Sequence, residues 1–293
     1  MKYVVVTGAY GGMGYKTVKE LASQGYTVFA LDKVVKESEE NVIPITVDVS
    51  DYNSVLSAFE KVKSITNELY AIVHFAGVYM LDSLIEIGQE AFEKIFKINL
   101  FGVYLVNKLF FPLLKEGSRI VITTSELAPL DPLPFTGIYA VTKSALEKYA
   151  LSLGMELQLL GISVSVLRPG AVKTDMLGVS TAALDRFCKE TELYAVHSKR
   201  FKKIVDSVEA RNVPPCRIAK KAFSIVNSKK PPVVSSVNRN PLLLMLNILP
   251  DGLQMKIIKG IINVLTTLII IIGGLFLILY ICGIIPYVVL SGS

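Results

Sequence analysis

Hydrophobic and polar positions alternate in a regular order over the first 170 residues. Short runs rich in Val and Ile read as strands buried on both faces: KYVVVTG at 2–8, YTVFALD at 26–32, NVIPITVDV at 41–49, YAIVHFAG at 70–77, SRIVITTS at 118–125 and ISVSVLRPG at 162–170. Between them lie stretches whose apolar residues recur at helical spacing, clearest at 89–113 and 137–160. Strand and helix in alternation predict an α/β fold, a doubly wound parallel sheet covered by helices on both faces. In such sheets ligands bind beyond the carboxyl ends of the strands.

The hydrophobic pattern changes near the C-terminus. After Lys259 no Asp, Glu, Lys, Arg or His occurs through Ser293, and IINVLTTLIIIIGGLFLILYI at 261–281 is 21 residues without a charge. As a helix it would be about 30 Å long, enough to cross a bilayer. Gly273 and Gly274 within it leave room for a close helix contact or a re-entrant bend. The preceding segment, 241–260, is amphipathic and suits an interfacial position with Leu and Met toward lipid. The expected organisation is one domain over 1–240, an interfacial segment at 241–260, a transmembrane helix at 261–281 and a short tail at 282–293. Lys256 and Lys259 place the domain on the cytoplasmic side by the positive-inside rule.

Charge sharpens this picture. The 293-residue chain has 31 Lys and Arg against 25 Asp and Glu, yet from Val196 to Gly260 thirteen basic residues face only Asp206, Glu209 and Asp251. A basic stretch leading into an apolar segment suits anionic lipid. Nucleic acid is not expected, because no base-reading module spacing accompanies it. Cys188, Cys216 and Cys282 are odd in number and far apart, which suits neither a disulfide framework nor a metal site. The start of the chain runs directly into a strand without a cleavable signal pattern, and a reducing cytoplasm is expected for the main domain.

The candidate chemistry falls at strand ends. TGAYGGMG, Thr7 to Gly14, follows the first strand and opens a helix, where glycines let backbone amides approach a pyrophosphate with the positive helix end behind them. The next strand ends at Asp32, whose carboxylate can accept both adenosine ribose hydroxyls and repel a 2′-phosphate. This favours NAD, with NADP left open by the neighbouring Lys33. Tyr139 and Lys143 lie one turn apart on one face of a helix.

These pieces together resemble the classical short-chain dehydrogenases/reductases over about residues 2 to 235. TGAYGGMG fits that family's TGxxxGxG loop through Thr7, Gly8, Gly12 and Gly14; VDVSD resembles its adenine-contacting segment at Asp48 and Val49; KINLFG supplies its active-site asparagine at Asn99. VITTS supplies the strand-end serine at Ser125, with Thr124 as a fallback; YAVTK supplies the Tyr-x-x-x-Lys pair; RPGAVKT resembles the Pro-Gly-x-x-x-Thr turn near the nicotinamide carboxamide. Two departures stand out. HFAG at 74–77 replaces the usual Asn-Asn-Ala-Gly, and Ser125 lies fourteen residues before Tyr139, one more than usual.

The resemblance implies a Rossmann-type single domain with catalytic residues Asn99, Ser125, Tyr139 and Lys143. It implies cofactor contacts at Thr7, Gly8, Gly12, Met13, Gly14, Asp32, Asp48, Val49, Ala76, Gly77, Pro169, Gly170, Val172 and Thr174, shared with Tyr139 and Lys143. By the same resemblance Tyr139 is the acid/base on the substrate oxygen, Ser125 orients that oxygen, Lys143 also holds the nicotinamide ribose, and Asn99 positions a relay water. A phenol ordinarily titrates near ~10, and the Lys143 ammonium with oxidised nicotinamide is expected to lower it. The resemblance also makes residues 175–210 a lid over substrate, and its amphipathic pattern offers Met176, Leu177, Phe187 and Tyr194 as pocket walls or, as such stripes more often are, as core packing.

The expected function is interconversion of a lipophilic secondary alcohol and its ketone (steroid-, retinoid- or oxo-lipid-like) by hydride transfer with NAD, or with NADP. The expected partners are that small molecule and membrane lipid, and homo-oligomerisation is left open. Two alternatives stand beside it: a dinucleotide-binding redox sensor without turnover, which has no need of the acid/base group, and a sugar-nucleotide epimerase, which would carry TGxxGxxG.

Overall fold

In the computed structural model the described residues are 2–209 and 212–263. The strands are β1 (Lys2–Thr7), β2 (Tyr26–Asp32), β3 (Val42–Thr46), β4 (Leu69–His74), β5 (Leu114–Thr123), β6 (Ser163–Pro169) and β7 (Val234–Val237). All pair in parallel, in the order β3-β2-β1-β4-β5-β6-β7. The helices are α1 (Gly12–Ser23), α2 (Tyr52–Lys63), α3 (Gln89–Phe96), α4 (Gly102–Phe110), α5 (Gly137–Leu157), α6 (Asp175–Glu190), α7 (Ala195–Glu209), α8 (Pro215–Asn227), α9 (Pro241–Leu246) and α10 (Asp251–Asn263).

The period-two alternation of the strands builds two cores. Val4 and Val6 of β1 face one side with Val18 and Leu21 of α1 and Ile218 and Ala222 of α8. Val5 faces the other with Val55 and Phe59 of α2, Val103, Val106 and Phe110 of α4, and Leu146 and Ala150 of α5. The expected doubly wound sheet is thus present, with β7 added at one edge.

Strand order reverses between β1 and β4, so the carboxyl ends of these two strands open a crevice. A third cluster lies apart from the two sheet cores: Leu81, Leu184, Phe187, Phe201 and Ile262 are buried together. Phe135 joins it with ring centroids 4.7 Å from Phe187, 5.1 Å from Tyr194 and 5.5 Å from Phe201. Its φ of 65° is uncommon for a bulky residue, and these three aromatic contacts hold it there.

Among the described residues one helical run, Gln89–Leu113, is long and apolar enough to cross a membrane by length and composition. It buries Ile95, Val103, Val106 and Phe110 within the domain, which marks it as a layer of the fold rather than a span. The expected spanning segment 261–281 lies outside the described residues from 264 onward, as does the tail 282–293. The expected interfacial segment forms α9 and α10. Arg200 of α7 donates to the Ile262 and Asn263 carbonyls at 3.2 and 2.7 Å, and Gln254 donates to Asp131 Oδ2 at 3.0 Å. Leu242, Met245, Ile248 and Met255 remain exposed on this segment.

Candidate active site

The turn after β1 brings backbone together more closely than any side chain permits. Gly8 has φ +64°, and a Cβ there would stand 2.5 Å from the Ala76 nitrogen. A Cβ on Gly14 would stand 2.0 Å from the Gly8 carbonyl oxygen. The side of Gly12 that lacks a Cβ faces Thr174, which joins the loop to the turn after β6. These approaches open a cavity of about 740 Å³ lined by Gly8, Gly11, Gly12, Met13, Gly14, Asp32, Asp48, Val49, Ala76, Gly77 and Thr174, among others. Its floor is the N-terminus of α1, whose positive end suits a phosphate. The residues present fit a dinucleotide.

At the end of β2, Asp32 accepts from the Tyr10 amide through Oδ2 at 2.8 Å and from the Lys33 amide through Oδ1 at 2.7 Å. The Lys33 ammonium turns to Asp48, 2.7 Å away. Burial pushes Asp48 up, but hydrogen bonds from Lys33 and Ser50 outweigh it and bring the carboxyl down to about 2. Asp48 thereby pairs with the cation that the sequence left as a competitor of Asp32.

Thr7 stands behind the loop rather than in the cavity lining. Its hydroxyl lies 3.5 Å from His74 Nδ1 and accepts from the Ala76 amide at 3.4 Å. His74 Nε2 donates to Asn107 Oδ1 at 2.8 Å, and Asn107 Nδ2 donates to the Tyr149 hydroxyl at 3.2 Å. The histidine that departs from the family pattern therefore ties β1, β4, α4 and α5 together. Burial lowers its pKa to about 4, from 6.5. The folded protein holds it neutral while the unfolded chain gains a proton below 6.5. Its stabilisation is complete above pH 6.5 and is lost as pH falls toward 4, by about 3 kcal/mol. Denaturant unfolding between pH 4 and 7 checks this: stability should fall across that window, and His74→Gln should flatten the dependence.

A second cavity of about 220 Å³ adjoins the first and shares Met13, Phe75, Gly77, Val78, Tyr79 and Thr174 with it. Ser125, Tyr139 and Lys143 line it, with Pro169, Gly170 and Val172 on the β6 side. β5 delivers Ser125, α5 delivers Tyr139 and Lys143, and each is less than a tenth exposed. Tyr139 packs on Tyr79 with centroids 4.9 Å apart. The Lys143 ammonium lies 5.8 Å from the Tyr139 ring centroid and donates to the Thr123 carbonyl at 3.2 Å. The Thr124 hydroxyl instead donates to Glu147 at 3.3 Å, and Glu147 is paired with Arg168.

Asn99 is fully buried on a π-helical turn, Lys97–Phe101, between α3 and α4. Its Oδ1 accepts from the Val78 amide at 2.8 Å, and its Nδ2 donates to the Val78 carbonyl at 3.0 Å and to Thr142 at 3.2 Å. It braces the segment shared by both cavities. The open side of Gly77 faces both Asn99 Oδ1 and Lys143 Nζ.

The electrostatics differ from the expectation for the phenol. Burial pushes the Tyr139 pKa above its ordinary value, Tyr79 adds to this, and a hydrogen bond with Ser125 opposes it. Burial also pulls the Lys143 ammonium down to about 8. Desolvation is the largest cause for both groups, which the one-turn spacing alone does not convey.

The segment expected as a lid forms α6 and α7, a helical pair. Phe201, Ile204 and Val205 of α7 line the second cavity together with Leu127, Leu133 and Leu243. Phe187 and Tyr194 follow the core-packing alternative and belong to the aromatic cluster around Phe135. The side chains of Met176 and Leu177 lie outside the described ones. Glu126 was missed although it directly follows Ser125, and Leu243 was missed because its segment was read as facing lipid.

A family model described as "short chain dehydrogenase" matches residues 2–185. Estradiol 17-beta-dehydrogenase 2 of Mus musculus is 32% identical over 236 residues, 73% of this chain and 61% of its own length. The chain thus spans less than two thirds of that relative. The 3-ketodihydrosphingosine reductase of Bacteroides thetaiotaomicron is 26% identical over 235 residues, 80% of this chain and 87% of its own. Among solved structures, a 3-ketoacyl-(acyl-carrier-protein) reductase from Brucella melitensis, complexed with NADH, superposes with a TM-score of 0.66 at 22% identity, covering 80% of this chain and 96% of that one. That likeness concerns the fold.

Proposed function

The chain belongs to the short chain dehydrogenase family, and on that footing we propose that it is an NAD(P)-dependent oxidoreductase interconverting a lipophilic secondary alcohol and its ketone. The observation that carries this is the convergence of Ser125, Tyr139 and Lys143 in a small cavity continuous with the glycine cradle. A redox sensor would need the cradle alone.

When bound, the nicotinamide ring supplies or accepts the hydride at the carbinol carbon. Tyr139 gives a proton to the substrate oxygen in reduction and takes it back in oxidation. Ser125 hydrogen-bonds the same oxygen and fixes its distance from the phenol. Lys143, cationic below about 8, stands beside Gly77 at the cradle, where its ammonium would hold the nicotinamide ribose. The π-helical turn at Asn99 loosens the regular backbone ladder there, and a water at that turn would relay protons toward solvent.

The walls of the cavity, from Leu127, Leu133, Phe201, Ile204, Val205 and Leu243, support a lipophilic substrate. The relatives named for estradiol and 3-ketodihydrosphingosine point the same way. Purified full-length protein screened against alcohols and ketones of graded lipophilicity, followed by NADH absorbance, tests this. Turnover rising with lipophilicity is expected; no turnover of any would contradict it.

We take NAD as the preferred cofactor, because Asp32 lines the first cavity at the end of β2 and Lys33, which also lines it, is paired with Asp48. Asp32→Ser should lower the NADH-to-NADPH ratio of kcat/KM by about tenfold or more, equivalent to ~1.4 kcal/mol. A preference for NADPH in the unmodified protein would contradict the assignment.

A C-terminal membrane anchor, with the domain on the cytoplasmic side, rests on the uncharged stretch after Lys259. Full-length protein should stay with membranes through high-salt washing. Recovery in the soluble fraction without detergent would contradict the anchor.

A further inference from the structure

The second cavity holds an acidic group that the reaction above does not use. Glu126, directly after Ser125 in the chain, lines it, and it is the one carboxylate among the described residues that do so. The remaining walls away from Lys143 are chiefly apolar or small. Carboxylates are rare in such a setting because burial without a partner is costly.

Local geometry explains how this one is held. The Glu126 amide donates to the Pro169 carbonyl at 2.9 Å, which aligns the residue with the turn after β6. Its Oε2 accepts from the Asn240 amide at 2.6 Å. A Cβ on Gly170 would stand 1.9 Å from the Asn238 carbonyl oxygen and 2.9 Å from Glu126 Oε1, so glycine there lets the Asn238 backbone and the carboxylate close onto the turn after β6. Gly170 lines the same cavity as Glu126, so the carboxylate stands at the edge of the substrate space. Burial pushes the Glu126 carboxyl up, the Asn240 amide opposes this, and Arg239 opposes it further. A half-buried carboxylate with one oxygen engaged is improved by a second donor.

We infer that Glu126 forms a polar subsite that selects substrates carrying a hydrogen-bond donor, a hydroxyl or an ammonium, a few bonds from the reacting carbonyl. This rests on the oxidoreductase reading for the position of the carbonyl. Consecutive Cα atoms are about 3.8 Å apart, so a group bonded by Ser125 and a group bonded by Glu126 belong to one end of a ligand. The apolar remainder of that ligand then lies against Leu127, Phe201, Ile204 and Leu243. Such a substrate is a lipophilic ketone functionalised next to its carbonyl, rather than a plain one.

The test compares matched medium-chain ketones bearing hydrogen, hydroxyl or ammonium on the carbon next to the carbonyl. In the full-length protein at least one donor-bearing ketone should exceed the plain one in kcat/KM by about 10- to 100-fold, the range of a hydrogen bond to a charged group. Glu126→Gln should bring the ammonium ratio close to one and the hydroxyl ratio only part of the way, since an amide oxygen still accepts. A ratio near one for both donors in the unmodified protein overturns the inference. So does a Glu126→Gln variant that loses activity equally on all three, because the residue would then only fasten Asn240. Affinities for the same ketones, measured by NADH fluorescence in the Tyr139→Phe protein with and without Glu126→Gln, need no turnover. Discrimination there without turnover in the unmodified protein would keep the subsite and remove the oxidoreductase reading.

Discussion

Tyr139→Phe is expected to lower kcat on an accepted ketone by about 10²- to 10⁴-fold, the contribution of a positioned acid/base. The hydroxyl alone is removed. The ring keeps its contact with Tyr79 and its place in the buried cluster with Ile95 and Ile138, so folding should be preserved. NADH affinity should stay within about threefold, a change of well under 1 kcal/mol. Lys143→Met should differ in kind, weakening both kcat and cofactor binding, because Lys143 lies beside both Gly77 and the phenol. Stopped-flow turnover together with NADH fluorescence titration separates the two variants. A Tyr139→Phe protein with kcat within tenfold of the unmodified one would contradict the assigned role.

Gly14→Val should abolish measurable cofactor binding, a loss of at least about 100-fold in affinity, equal to ~2.7 kcal/mol. The new side chain would begin 2.0 Å from the Gly8 carbonyl oxygen and 3.2 Å from the Ala9 Cα, and neither is the free end of a flexible chain. The loop must then move away from α1, and the amides that would face the pyrophosphate move with it. Gly88→Ala is the control, since a Cβ there meets nothing within 4 Å. Calorimetric titration with NADH checks the pair. Near-normal affinity of Gly14→Val would show that the cradle is not where the phosphates sit.

Legibility in the sequence followed the strength of each local signal. β1, β3, β4 and β6 announce themselves as Val- and Ile-rich runs, and the 89–113 and 137–160 helices by their apolar spacing. β7 has only four residues, Val234–Val237, with Ser235 and Ser236 at its centre, and was not predicted as a strand. Its place is set by pairing with β6, a long-range contact that a propensity reading does not contain. The glycine loop was legible because glycine is informative wherever backbone approaches backbone. Tyr139 and Lys143 were legible as a pair one helical turn apart, but their role, and Ser125 altogether, came from the family resemblance.

What spacing does not carry is direction and solvent. Phe187 and Phe201 lie in neighbouring amphipathic helices, and only packing decides that Phe201 reaches the cavity while Phe187 stays within the aromatic cluster. The depth of Tyr139 is likewise tertiary, which is why its pKa moves up rather than down. Thr124 and Ser125 are adjacent hydroxyls. Glu147, itself held by Arg168, accepts from the first and so distinguishes them. His74 reads as an isolated departure in sequence and becomes a link in a buried chain to Asn107 and Tyr149 once α4 and α5 are packed.

The central claim is a hydride transfer at a carbinol carbon in the cavity of Ser125, Tyr139 and Lys143. It is tested most directly by supplying the full-length protein with NADH deuterated on both faces at C4 and a lipophilic ketone, then analysing the alcohol formed by mass spectrometry. The account predicts one deuterium, on the carbinol carbon, with formation suppressed in Tyr139→Phe. Alcohol formed without deuterium at that carbon, or formed equally well by Tyr139→Phe, would contradict it.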